Sequence, residues 1–172
     1  MAEHEEIEEH VEHAHEPFHK VVAGTMAIIA ALLAVVSVSG QHFNTEELLK
    51  QQQASDQWAF SQAKDIRRYT AQITQDTLAS IKADPKLVGK YSKDSDKYKK
   101  QHDDIQDQAR DLEKERDRSG NKANRFHIGE VFLEAAIVFS SLSILMKTRL
   151  LFFGGVLFAL IGIGMAIAGW AA

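Results

Sequence analysis

The sequence predicts an all-α membrane protein: three transmembrane helices, with a long antiparallel coiled-coil hairpin between the first and the second. Three observations predict it. Apolar residues are collected into three blocks, 21–39, 128–146 and 150–170. The long stretch between the first two blocks is polar and carries heptad-like spacing. One breaker, Asp84-Pro85 with Gly89 just beyond it, divides that stretch into two arms of similar length. The expected organisation is an acidic, His-rich amphipathic tail over 1–20, a first span over 21–40, an extramembrane helical hairpin over 41–126, a second span over 127–146 and a third over 150–171.

Each apolar block holds about 20 residues, the length that crosses roughly 30 Å of hydrocarbon at 1.5 Å per residue. The first, VVAGTMAIIAALLAVVSVS, has no charge. An acidic segment precedes it, which argues against a cleaved signal peptide. Two buried core helices would need a large soluble core around them, which this chain lacks. Three spans put Trp170, Phe43 and Phe126 at one membrane interface and Phe18, Phe152 and Phe153 at the other, the depth aromatic rings favour. The count of Lys and Arg beside the spans favours a cytoplasmic hairpin and an external tail. The chain is expected in a bacterial inner (cytoplasmic) membrane as a multi-pass protein.

Composition narrows the functions. The net charge is -4, so there is no global basic signature for nucleic acid. The 172 residues include no cysteine, which excludes disulfides, thiolate catalysis and Cys-based metal sites. No phosphate-binding glycine loop, nucleophile elbow or His-Glu-x-x-His motif is present. The chain is read as a non-enzyme without a cofactor.

Along the first arm, Leu49, Gln52, Asp56, Ala59, Ala63, Ile66, Thr70, Ile73, Thr77 and Ser80 alternate at spacings of three and four. Asn44 and Glu47 stand at capping-box spacing, so a helix is expected from there to about Ala83. In the second arm, expected from about Ser92, Tyr98, His102, Ile105, Ala109, Leu112, Arg116, Ser119, Ala123 and Phe126 repeat the pattern. Both stripes are diluted by polar and small residues, which predicts further packing from neighbouring subunits. Trp58, Phe60 and Tyr69 fall off the first stripe and are candidates for a second contact face.

Two groups are candidates for chemistry. Glu130 and Glu134 lie inside the second span, on nearly one helical face with His127. Carboxylates in a span are costly unless they face protein or water. His42 falls opposite them in an antiparallel hairpin, so His42, His127, Glu130 and Glu134 are candidate divalent-metal ligands or a proton relay. In the tail, His4, His10, His13, His15 and His19 alternate with glutamates, and His15 with His19 has the i,i+4 spacing that can hold a metal. These histidines would also titrate between about pH 5 and 7. Pro17 is expected to mark the joint between the tail helix and the first span. Small residues repeat every four positions at Ala23, Ala27 and Ala31, and at Gly155 with Ala159, Gly162 with Ala166 and Gly164 with Ala168, a spacing that marks helix association.

Three features together resemble a bacterial membrane-protein family, domain of unknown function 4337. They are the acidic His-containing tail entering the first span, the segment from Thr45-Glu46-Glu47 to Gln53-Ala54-Ser55-Asp56-Gln57-Trp58-Ala59-Phe60-Ser61-Gln62-Ala63-Lys64, and a closing pair of spans that begins Phe126-His127-Ile128-Gly129-Glu130. The resemblance covers nearly the whole chain. It implies a bacterial inner-membrane protein of this layout, assigns no catalytic residue, and adds interest to Asp56, Gln57 and Trp58 as a contact motif.

The expected function is a non-enzymatic homo-oligomeric membrane scaffold or interaction protein built on the hairpin. The alternatives are an ion- or proton-conducting oligomer that uses Glu130 and Glu134, and a pH- or metal-responsive sensor that uses the tail. Expected partners are the lipid bilayer, further copies of the chain and a protein partner for the hairpin, with no nucleic acid.

Overall fold

A computed structural model describes the backbone of residues 2–171 and the side chains of residues 17–171. The described residues form three helices and no strand: α1 (Ala2–Ser80), α2 (Pro85–Leu145) and α3 (Arg149–Ala171). All three are long and apolar enough, over part of their length, to cross a membrane. Two compact units emerge, one made of residues 1–44 and 120–172, the other of residues 45–119.

The helices are longer than the local signals predict. The capping spacing at Asn44 is not used, because α1 continues through it without interruption. A cap is needed only where backbone N–H groups lack helical acceptors, and here every preceding turn supplies one. Likewise α1 runs through Pro17. Gly89 does not break the second arm, and α2 starts at Pro85 rather than near Ser92. The true boundary lies in the residues before it. Lys82 adopts φ 54°, with Ala83 N donating to Leu78 O at 3.0 Å and Lys82 N to Ala79 O at 3.1 Å. This is a Schellman stop with lysine at the left-handed position that usually takes glycine. Asp84 then caps α2 by accepting from Lys86 N at 2.8 Å, and Pro85 fills the first helical position, where its missing N–H costs nothing. Lys147, at φ 52°, ends α2 in the same way.

In the first unit, α2 and α3 approach closely along a line of small residues. Gly155, Ala159, Gly162, Ala166 and Gly169 form the buried edge of α3. A Cβ on Gly162 would stand 2.8 Å from Gly129 O, and one on Gly155 would stand 2.7 Å from Ser140 Oγ. In hydrocarbon, where helices gain little from excluding water, close packing of this kind is what would hold them together. The α1 segment adds Ile29 and Val36 to a core with Phe126, Leu133, Ala136, Ala159 and Ala166. The glycine pairs Gly155–Ala159 and Gly162–Ala166 are therefore used within the chain. Ala23, Ala27 and Ala31 remain exposed, and Gly164 has open space beside it.

Aromatic rings gather at both ends of this unit. Phe126 stacks on Phe43 at 5.6 Å and meets Trp170 edge-on at 6.3 Å. Arg125 donates to Ala168 O at 2.9 Å, which satisfies one of the last carbonyls of α3. At the other end Phe18 meets Phe152 edge-on at 5.8 Å, and the Arg149 guanidinium lies 5.7 Å from the Phe18 ring centroid.

Candidate interaction surfaces

Within the second unit, contacts between α1 and α2 set an antiparallel register. Lys50 pairs with Glu115 at 2.6 Å, Gln51 accepts from Arg116 at 2.7 Å, Trp58 donates to Glu113 at 2.9 Å, and Ser61 Oγ lies 2.8 Å from His102 Nδ1. Numbers fall on α2 as they rise on α1. The α1 positions turned inward are Lys50, Ala54, Gln57, Ser61, Lys64, Arg68, Ala71, Gln75 and Leu78, which alternate at spacings of three and four. On α2 the inward positions are Tyr98, His102, Ile105, Ala109, Leu112, Arg116 and Ser119, those of the second-arm stripe.

The first-arm stripe needs correction. Every position of it, from Leu49 to Ser80, is exposed, with Leu49 at 55%, Ile66 at 67% and Ile73 at 65%. It lies two residues from the inward stripe, or about 200° around the helix. The physical reason is side-chain size. Ala54, Ser61 and Ala71 are nearly fully buried and let the two backbones approach. Lys50, Lys64 and Arg68 are half-buried at the flanks, where Lys50 pairs with Glu115 and Lys64 Nζ lies over both Phe60 and Tyr98. The larger apolar residues are left facing away.

α1 therefore carries two faces. On the outward one, the hydroxyls of Thr70, Thr77 and Ser80 donate to Ile66 O, Ile73 O and Asp76 O, each at 2.8 Å. Their own helix satisfies them, so Thr70 and Thr77 add to the apolar stripe rather than offering free polar groups. Asp56 is the one charge in the stripe and accepts from Gln52 Nε2 at 3.1 Å. Leu48, Phe60 and Tyr69 flank it, all exposed. The outward face of α2 contrasts with this: Asp103, Asp104, Asp107, Arg110, Asp111 and Lys114 are all exposed there. Lys114 pairs with Asp111 at 2.8 Å, and this hydrogen bond, helped by the same charge, raises the lysine above its ordinary value.

Of the contact candidates, Phe60 and Tyr69 face outward, with the Arg68 guanidinium 4.4 Å from the Tyr69 ring centroid. Asp56 is exposed on the same side. Gln57 and Trp58 are half-buried and belong to the α1–α2 contact. Trp58 was expected on the second contact face. Its indole N–H instead finds a carboxylate acceptor across the hairpin, which decides the ring's direction.

In the first unit, His127 Nδ1 lies 3.6 Å from Glu130 Oε2. Among the described residues no three His, Asp or Glu side chains gather in a way that could hold a metal, so His42, His127, Glu130 and Glu134 are not assembled as a ligand set. His42 is exposed beside Phe43. Glu134 is exposed on α2, on a face with His127, Val131, Val138, Ser141 and Leu145. His19 is half-buried with its ring 6.2 Å from Phe18, and His15, its expected partner, lies outside the described side chains.

Comparison with known proteins agrees with the resemblance seen in the sequence. No curated protein and no solved structure matches the chain. The family model described as Domain of unknown function (DUF4337) matches residues 18–172, nearly the whole length, and the chain belongs to that family.

Proposed function

We propose that this protein is a non-enzymatic, homo-oligomeric integral membrane scaffold, in which copies associate through the outward face of α1. The observation that carries the reading is the exposed stripe from Leu49 to Ser80, with its single charge and its self-satisfied hydroxyls. A solvated helix face has no need of Leu49, Ile66 and Ile73 at heptad spacing, whereas a helix–helix seam does.

Residues 45–119 act as an antiparallel coiled coil that stands on the cytoplasmic side of a bacterial inner membrane. The inward stripes of α1 and α2 support this with their alternate spacings of three and four. Copies anchored in one bilayer insert in the same sense, so the stripe of one copy runs parallel to that of the next. Ile66 then meets Ile66 and Ile73 meets Ile73 in parallel register. Asp56 with Gln52 adds a polar layer, the device by which coiled coils fix register at some cost in stability. The charged outward face of α2 stays in water, where its ion pairs contribute little.

Counting subunits in lipid nanodiscs by native mass spectrometry tests the reading. Particles with two or more copies support it, and particles with a single copy contradict it.

A further inference from the structure

The first unit has outward faces as well, and they differ in one respect. The exposed positions of α3 include Leu150, Phe153, Leu157, Leu160, Ile161 and Ile167, all apolar and suited to lipid tails. On α1, Thr25 Oγ1 donates to Val21 O and Ser39 Oγ to Val35 O, so these two hydroxyls are satisfied within the helix. The outward face of α2 instead presents Val131, Glu134, Val138, Ser141 and Leu145, alternating at spacings of three and four, with a carboxyl in its centre.

That carboxyl is deep. Glu134 lies about 12 Å along the helix from Phe126, the residue that joins the aromatic cluster at this end of the unit. Its side chain is shorter than the Lys and Arg stems that reach back to an interface from such depths. Lipid tails offer it no hydrogen bond, and an unsatisfied polar group in hydrocarbon is strongly disfavoured. The group that covers this face must therefore be polar at one level and apolar above and below.

We propose that a second copy of the chain covers it, α2 against α2, with the two Glu134 carboxyls hydrogen-bonded to each other across the contact. Every copy inserts in the same sense, so a second α2 brings its own carboxyl to the same depth. A neutral carboxylic acid has one donor and spare acceptor capacity, which makes the pair self-complementary. Val131 and Val138 then pack above and below this polar layer, and Ser141 follows one heptad on. The inference shares with the scaffold reading only the need for a second copy. It places a second, intramembrane contact on a different helix.

The absence of native cysteine makes the test direct. Single-cysteine variants Val131→Cys, Val138→Cys and, on α3, Leu160→Cys are oxidised with copper phenanthroline in native membranes. The proposal expects covalent dimers at Val131 and Val138 and few at Leu160. In the Val138→Cys background, Glu134→Leu lowers the dimer yield about fivefold, roughly 1 kcal/mol of association, while Glu134→Gln, whose amide also donates and accepts, retains it. Dimer yields at Val131 and Val138 no higher than at Leu160 overturn the proposal, because α2 then faces lipid. Rapid labelling of Val138→Cys by a membrane-impermeant maleimide also overturns it, because water then lines this face. Native mass spectrometry of the same variants separates the two readings. Multi-subunit particles without α2 cross-links defeat this inference alone, whereas single-subunit particles defeat both.

Discussion

The indole Nε1 of Trp58 on α1 donates to Glu113 Oε1 on α2 at 2.9 Å, joining residues 55 positions apart in the chain. The contact is half-buried and charge-assisted, so it carries more than a neutral surface hydrogen bond. It also settles the direction of Trp58, which points into the hairpin and leaves the outward face of α1 to Phe60, Ile66, Tyr69 and Ile73.

Replacing Trp58 with Phe keeps the ring and removes the donor. The expected loss is about 1 kcal/mol of hairpin stability, which lowers amide-exchange protection near residues 54–61 about fivefold. Subunit count should not change, because the ring does not lie on the outward stripe. Mass-spectrometric hydrogen exchange on the full chain in nanodiscs, with native mass spectrometry beside it, checks both statements.

Asp56→Leu should act in the opposite sense on assembly. It removes the one charge from the outward stripe, so association tightens and the register becomes less uniquely defined. Dilution in detergent followed by mass photometry would show oligomers persisting to lower concentration, with a broader distribution of sizes. Weaker association than in the parent chain would contradict a seam at this position.

The glycines of the α2–α3 contact give a steric prediction. Gly162→Val places a side chain 2.8 Å from Gly129 O and 3.0 Å from Leu133 Cγ, where backbone cannot yield cheaply. Overpacking of this kind costs about 1–3 kcal/mol. Gly164→Val, two residues away, enters open space and should be neutral within about 0.5 kcal/mol. Thermal unfolding of both variants in one detergent makes the comparison.

The Lys50–Glu115 pair predicts a pH dependence. Its hydrogen bond to Glu115, ahead of any other influence, raises Lys50 above 10.5, against a smaller lowering by desolvation. A lysine whose folded value is raised binds its proton more tightly when folded. The pair therefore stabilises fully below 10.5 and loses that contribution as pH rises through the raised value. Glu115→Gln should lower hairpin protection at about pH 8, and the difference from the parent should vanish above the raised value or in about 1 M salt. Glu115 is exposed to solvent, so the effect is small.

Much of the architecture was legible from residue pattern. Three uncharged or nearly uncharged runs marked the three helices long and apolar enough to cross a membrane, and Asp84-Pro85 marked the hairpin tip, which the structure places at the Schellman stop of Lys82 and the Asp84 cap. The α2 stripe was legible because Ile105, Ala109 and Ser119 do turn inward. The α1 stripe was misdirected. Periodicity finds the strongest apolar signal, Leu49, Ile66 and Ile73, and assigns it to the nearest partner. Here the nearest partner is met by Ala54, Ser61 and Ala71, whose smallness is the signal and whose hydropathy is weak. Small residues marked a helix contact in the third apolar block as well, where Gly155 and Gly162 meet α2 of the same chain. The place of Glu134 within the second apolar block was readable, but its outward direction depended on which α2 face α3 had taken.

The outward stripe of α1 is proposed to join copies of the chain. The most direct test is the subunit count of the Ile66→Lys, Ile73→Lys double variant in lipid nanodiscs, beside the parent chain. Both residues are exposed, so hairpin stability should hold within about 0.5 kcal/mol per site. Multi-subunit particles are expected for the parent, with a shift to single copies, or to a smaller assembly, in the variant. A variant that keeps the parent's subunit count and resistance to dilution would contradict it.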